Sequence, residues 1–334
     1  MSQAVVGGQN ASRLKADLEA KFERKGTVHG AMSGMTYGLY SVILGLATAK
    51  APFATAPLIA ASLVAIAIND SLAALWLTGL NVMQGRGKEI IRNLCTFPGM
   101  MVCLAALFGG PIANVAYLLG IMYAGATYAM PISALCPVVG AILSRIFMKQ
   151  KISKRVGIGM TICIIGTIIV SYVKPDGNPQ NFYLGIAFSL LAAIGWGAEG
   201  MISTFGMSMM DPKIAITIRD AMSGLSILIV GLPIIGGYKL FASAITQPEV
   251  IGIMAIGALV CATSFLTWYN ANSMCGVAKG MSLNITYVLW GFVWSIIILH
   301  ESVTGMVVVG GIIVTIGAIL VSVNPMDFIR KEEA

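Results

Sequence analysis

Between Phe182 and Met210 the chain carries one charged residue, Glu199, inside the run Ile194-Gly-Trp-Gly-Ala-Glu-Gly200. On a helix Trp196 and Glu199 are i and i+3 and share a face. An aromatic face beside a negative charge suits an organic cation. An ionisable group in the middle of an apolar segment is costly, and it marks either a functional position or a structural ion pair. With no cation near it in sequence, Glu199 reads as the counter-charge of a bound cation. The letters Gly195-x-Gly197-x-x-Gly200 also match the dinucleotide fingerprint, but that motif needs a strand before it and a helix N-terminus after it. Here it falls inside one apolar run, and no phosphate loop for a nucleotide is found elsewhere.

Two further carboxylates, Asp70 and Asp220, lie in apolar runs, and Arg219 precedes the second. Neighbours i and i+1 do not face each other on a helix, so Arg219 and Asp220 are expected to have different partners. For Asp70 and Asp220 a structural Arg219 to Asp70 pair and a coupling role stand as equal readings, and Glu199 is a further coupling candidate. Asn284, Tyr287, Trp290 and Trp294 recur at i, i+3, i+6 and i+10, one stripe of a helix. Tyr287 and Trp290 fall mid-run, away from the interfacial belts where aromatic side chains usually sit. They complete an aromatic box or pack against a neighbouring helix. Tyr37 and Tyr40 follow a ridge of Gly30, Gly34 and Gly38, a spacing that allows close helix approach. Trp76, Trp268 and Trp294 read as packing or belt residues.

The elements that must position these groups are membrane helices. Hydrophobic residues make up 57% of the 334 and charged residues 10%, with a mean hydropathy of +0.86, which excludes a water-soluble domain. Stretches of about 20 apolar residues fall near 29–49, 55–80, 94–118, 122–147, 156–173, 182–208, 213–236, 250–273, 277–299 and 303–324. The predicted fold is an all-α membrane protein of ten transmembrane helices. Residues 1–28 read as a polar cytoplasmic tail, with 11–25 either an amphipathic surface helix or loose, and 325–334 as a second cytoplasmic tail. Pro131 and Pro137 are expected to kink or open the fourth span. The six cysteines lie in apolar runs without ligand spacing and read as buried free thiols. His29 and His300 stand at span ends, and no metal or protease motif is present. No cofactor, metal site or enzyme activity is therefore expected, and the net charge of +7 reflects loop placement rather than nucleic-acid binding. With the N-terminus inside, every Lys and Arg except Lys50, Lys174, Lys239 and the intramembrane Arg219 falls on the cytoplasmic side, which places both termini there.

The chain also repeats. A shift of 151 pairs Gly125 with Gly276, Gly159 with Gly310, Gly166 with Gly317 and Tyr117 with Trp268. A shift of 150 pairs residues 65–70 (AIAIND) with 215–220 (AITIRD), and one of 159 sets Tyr37-Gly38 against Trp196-Gly197. Five spans per half is odd, so the first repeat, 29–173, and the second, 182–324, are inserted in opposite senses. Such inverted repeats place a substrate site between the halves near the midplane.

The aromatic-Gly pairs opening spans one and six and the Gly-spaced fifth and tenth spans resemble the drug/metabolite transporter superfamily, of the EamA-like type, over about residues 29–324. Within it, Ala193 to Phe205, Leu283 to Trp290 and Gly110-Pro-Ile-Ala-Asn114 are similar to the LicB-type choline transporters. The resemblance implies a choline site lined by Trp196, Glu199, Tyr287 and Trp290, with Tyr37 standing where Trp is expected. Together these features predict a secondary importer of choline or a related quaternary ammonium in the cytoplasmic membrane. Its driving force would be the membrane potential, with symport if an acid cycles a proton. Tyr37 and Asn284 are the further candidates for contact with a small organic cation. An exporter of amino acids, metabolites or cationic drugs is the alternative.

Overall fold

The computed structural model of the protein describes residues 2–147, 154–172, 181–300 and 305–322. Helices α1 (Ser2–Thr48), α2 (Leu58–Met83), α3 (Gly87–Leu94) and α4 (Phe97–Leu107) come first, and a π-helical segment (Phe108–Asn114) joins α4 to α5 (Val115–Ala124). The first half continues with α6 (Ala126–Ser133), α7 (Cys136–Phe147) and α8 (Lys154–Tyr172). The second comprises α9 (Phe182–Met207), α10 (Pro212–Ser226), α11 (Leu232–Ile235), α12 (Tyr238–Thr246), α13 (Pro248–Cys275), α14 (Val277–Asn284), α15 (Tyr287–Trp294) and α16 (Gly305–Ser322). Caps are supplied where the chain turns: Thr96 accepts from the Gly99 amide and Asp211 from the Lys213 amide, each satisfying an orphan donor of a first turn.

Among the described residues six helical runs are long and apolar enough to cross a membrane: Leu58–Met83, Phe97–Ala124, Tyr128–Phe147, Phe182–Met207, Pro212–Ile235 and Pro248–Cys275. Shorter apolar helices cover Gly157–Gly166, Tyr287–Leu299 and Val308–Gly317. The chain is a multi-pass membrane protein, and its surface says the same. Large apolar side chains such as Leu75, Ile194 and Ile234 face outward, while Arg219, Glu199, Asp70, Asp220 and Asn69 are buried. Lipid as the solvent demands that arrangement, since a helix satisfies its own backbone and polar side chains turn inward.

Three expectations change. Residues 11–25 are not a separate surface helix or loose tail, because α1 runs unbroken from Ser2 to Thr48. No Pro or turn signal interrupts the stretch, and Gly26 already packs against Met274 and Cys275. Cys95 is exposed at the end of α3 rather than buried, although all six cysteines are free thiols. The short helices α3 and α12 occupy stretches read as connections. The basic loop at 149–153, the connection at 174–178, residues 301–304 and the tail 325–334 lie outside the described residues.

The two halves meet through reciprocal contacts. A side chain on Gly166 would strike Val314 and the carbonyl of Gly310, and one on Gly317 would strike Cys163 and the carbonyl of Gly159. These are the sequence-paired glycines, each packed on the other's mate, as a two-fold relation requires. Gly125 and Gly276 start α6 and α14 with φ 88° and 82°, a conformation reserved for glycine. The helices that follow both break: α6 gives way to α7 at Ala134–Leu135, between Pro131 and Pro137, and α14 to α15 at Ile285–Thr286. Discontinuous helices of this kind expose backbone ends to a binding site.

Two ion pairs tie the connections. Lys50, after α1, meets Glu249 at the start of α13 at 2.7 Å. Arg86, after α2, meets Asp211 at the start of α10 at 3.2 Å and Glu89 at 2.8 Å. The hydrogen bond to Glu89, with Asp211 beside it, raises the Arg86 pKa above its ordinary value. Each inter-half pair joins the connection after the first helix of one half to the connection before the third helix region of the other.

Candidate functional site

The broken helices α6/α7 and α14/α15 and the helices α1, α9 and α13 surround a cavity lined by Tyr37, Cys136, Trp196, Phe265, Trp268, Asn284 and Tyr287. Its volume is about 20 Å³, so the rings all but fill it. Tyr37 is the hub. Its ring centroid lies 5.0 Å from Tyr287, 5.4 Å from Tyr40, 5.7 Å from Trp196, 5.9 Å from Phe265 and 6.0 Å from Tyr117. A cation is held within about 6 Å of each ring centroid, so two opposed faces must stand well beyond these separations to hold one between them. The rings here pack on each other, and loading the cavity requires them to part.

Most of the polar handles on these rings are fixed. Trp196 Nε1–H donates to Asn114 Oδ1 at 2.9 Å, which ties α9 to the end of the π-helical segment. The Tyr117 and Ser41 hydroxyls share a hydrogen bond at 3.0 Å. The Tyr287 hydroxyl meets Ser133 Oγ at 2.8 Å and donates to the Met130 carbonyl at 3.1 Å, so the break in α14/α15 is fastened to the break in α6/α7. Asn284 Nδ2 donates to Ser33 Oγ at 2.6 Å.

Beside the cavity lies a buried charge network. Arg219 Nε donates to Glu199 Oε1 at 2.6 Å and Nη2 to Oε2 at 3.2 Å, a two-point pairing that fits the planar guanidinium. Arg219 Nη1 donates to Asp220 Oδ1 at 2.9 Å and stands 3.8 Å from Asp70 Oδ2. Tyr269 donates its hydroxyl to Glu199 Oε1 at 3.1 Å. Asp70 accepts from Asn69 Nδ2 at 3.0 Å and from the Ser223 hydroxyl. Asn69 is the repeat partner of Arg219, and each donates to the aspartate that follows it. The Phe265 ring touches both regions, with the Arg219 guanidinium 4.4 Å and the Tyr37 ring 5.9 Å from its centroid.

This geometry corrects several expectations. Glu199 has a cation partner 20 residues away, so its carboxylate is paired in this conformation and does not face the cavity alone. Arg219 and Asp220 bond each other, because the long arginine side chain folds back over its neighbour. The Arg219 to Asp70 contact exists but is the longest of the three. Trp290 leaves the proposed box: it is 37% exposed and stacks on Trp294 at 6.3 Å, facing away from the cavity that Tyr287 lines. Trp268, read as packing or belt, lines the cavity instead. Tyr37, Trp196, Tyr287 and Asn284 are brought together there. Cys136, Phe265, Tyr117 and Tyr269 were not foreseen. The pairing of Tyr117 with Trp268 by the repeat was the available signal for Tyr117, whose ring packs on both Tyr37 and Trp196.

The π-helical segment presses on the network with glycines. A Cβ on Gly109 would fall on the Glu199 carboxylate, and one on Gly110 on the Ser223 hydroxyl. π-bulges recur at functional positions, and here one brings bare backbone against the ion pair.

The EamA-like transporter family model matches residues 24–172 and again 183–323. Protein LicB of Haemophilus influenzae is 30% identical over 188 residues, covering 56% of this chain and 63% of its own. Uncharacterized transporters of Archaeoglobus fulgidus and Clostridium kluyveri are 27% and 23% identical over 34% and 52% of this chain, and 38% and 56% of theirs. The chain thus spans less than two thirds of the length of each of these relatives. A solved crystal structure superposes with a TM-score of 0.62 at 14% identity, covering 92% of this chain and 99% of its own, a likeness of fold.

Proposed function

The chain belongs to the EamA-like transporter family, and from that premise we propose that it imports choline or a related quaternary ammonium across the cytoplasmic membrane by alternating access. The observation that carries this reading is an aromatic cavity backed by a carboxylate excess. A quaternary ammonium donates no strong hydrogen bond and is recognised by ring faces, which Tyr37, Trp196, Tyr287, Phe265 and Trp268 supply. Glu199, Asp70 and Asp220 share one guanidinium. When all are ionised the network is negative, favouring a cation next door and opposing a substrate with its own carboxylate, such as betaine. Inward movement of one positive charge gains about 2.3 kcal/mol per 100 mV of inside-negative potential.

In this proposal ten helices span the bilayer as two inverted five-helix repeats with both termini cytoplasmic. α1, α8, α14 with α15, and α16 supply the spans beyond the six long apolar runs. The reciprocal glycine contacts and the sorting of Lys and Arg support it. Glu199, Asp70 and Asp220 are the groups through which a proton would couple.

Labelled choline uptake into proteoliposomes with a set potential and pH gradient is the test. Potential-driven accumulation, inhibited by other quaternary ammonium compounds, is expected. Absence of uptake and of competition would remove the substrate assignment, and accumulation only against an outward gradient would favour export.

A further inference from the structure

Trp268 differs from the rings around it. It lines the cavity at 4% exposure, between the rings of Phe265 at 6.1 Å and Tyr269 at 5.4 Å. Among the described residues its Nε1–H has no hydrogen-bond partner. Trp196, Tyr117, Tyr287 and Tyr269 all engage side-chain or backbone partners that pin them. Tyr117, the repeat mate of Trp268, has the Ser41 hydroxyl as its partner, so the fold had a means of satisfying this position and does so in one half only. A buried donor without an acceptor is uncommon and costly, and it calls for a partner that arrives from outside the protein.

We propose that Trp268 Nε1–H donates to an acceptor oxygen on the transported cation, making Trp268 the residue that selects a quaternary ammonium alcohol or ether over an alkyl isostere. The inference rests on the importer reading and adds to it the neutral oxygen that the substrate must carry. The rings recognise the cationic head, which choline shares with every trimethylalkylammonium, so they cannot make this distinction. The indole N–H makes it because a site holding a donor rejects a ligand that leaves the donor unpaired. The negative network beside the cavity restricts the oxygen to an uncharged one.

The experiment compares two isosteric pairs as competitors of labelled choline in proteoliposomes: choline against propyltrimethylammonium, and choline methyl ether against butyltrimethylammonium. The wild type is expected to prefer the oxygen-bearing member of each pair by about tenfold, which is about 1.4 kcal/mol. The ether accepts but does not donate, so its preference identifies the protein as the donor. Trp268→Phe is expected to weaken both alkyl members equally, through its weaker ring face, and to lose the preference within each pair. Equal inhibition within both pairs by the wild type overturns the proposal whatever the variant does, as does a Trp268→Phe protein that keeps the preference or loses all four compounds alike. Should the wild type respond to none of the four, the importer reading fails and this inference with it.

Discussion

Tyr37 and Trp196 hold equivalent places in the two halves and meet edge to face, with ring centroids 5.7 Å apart at 89°. One ring comes from α1 and the other from α9, so their contact is the seam between the halves at the cavity. Gly38 and Gly197, the residues that follow them, pack on the Tyr287 and Cys136 carbonyls respectively, again at mated positions. A movement that separates the halves therefore parts these two rings.

Glu199→Gln is expected to lower choline uptake at least tenfold while the protein stays folded, because Asp220 and Asp70 still oppose Arg219. Arg219→Met removes the guanidinium shared by three buried acids. Leaving such charges unpaired costs about 3–5 kcal/mol, so this variant is expected to lose folded protein. Thermal melting and size exclusion in detergent, beside the uptake assay, separate the two. Wild-type uptake by Glu199→Gln would take the acid out of the mechanism.

Gly109→Ala is expected to abolish uptake and lower the melting temperature by several degrees, since its methyl group displaces Glu199 from Arg219. Gly79→Ala in α2, where nothing lies within 4 Å, is the matched control. It is expected to be neutral or to stabilise by up to about 1 kcal/mol through helix propensity. Equal melting temperatures for the two variants would show that the π-helical segment yields without cost.

Trp196→Leu is expected to weaken choline inhibition by about thirtyfold, the loss of one desolvated cation–π contact of about 2 kcal/mol. Trp290→Ala, which removes an outward-facing ring, is expected to stay within twofold of wild type. Competition curves on both variants decide whether choline meets the α9 ring in the cavity or the outer face of α15.

Cys136 is a native thiol in the cavity wall. With the other cysteines replaced, a trimethylammonium methanethiosulfonate reagent is expected to label it faster from the cytoplasmic side when Asp211→Asn breaks the pair with Arg86. Labelling from the outside is expected to rise when Glu249→Gln releases Lys50. Exposed pairs contribute up to about 1 kcal/mol, so shifts of up to about fivefold are the scale. No change from either side would show that the pairs do not hold the faces closed, and choline is expected to slow labelling in both.

Much of the architecture was legible because lipid leaves the chain few choices. Apolar runs of spanning length become helices, and the pairing of Gly125 with Gly276 appears in space as two matching positive-φ turns. Pro131 and Pro137 announced the break they flank. The charge network was less legible for a reason of reach: helical spacing describes where Cβ atoms point, while an arginine extends far enough to bond its neighbour Asp220 and to find Glu199 on another helix. Trp290 illustrates the converse. It stands i+3 from Tyr287 within α15, but such positions are turned about 60° apart round the helix, and the turn leaves Tyr287 buried at the cavity and Trp290 stacked on Trp294 at the surface. The π-helical segment left no periodic trace at all, since one extra residue per turn shows only in the backbone.

Asn69 and Arg219 occupy the same place in the two halves and make the same bond to the next residue, but one is neutral and the other charged. A transporter whose halves were true copies, inserted in opposite senses, would be a palindrome, with inward-open and outward-open forms equal in energy in the absence of a gradient. Here one of the altered letters, Asn69 against Arg219, changes a charge. The resting preference for one side of the membrane has to be written in such differences, and the Asn69 and Arg219 pair places one of them where both halves can feel it.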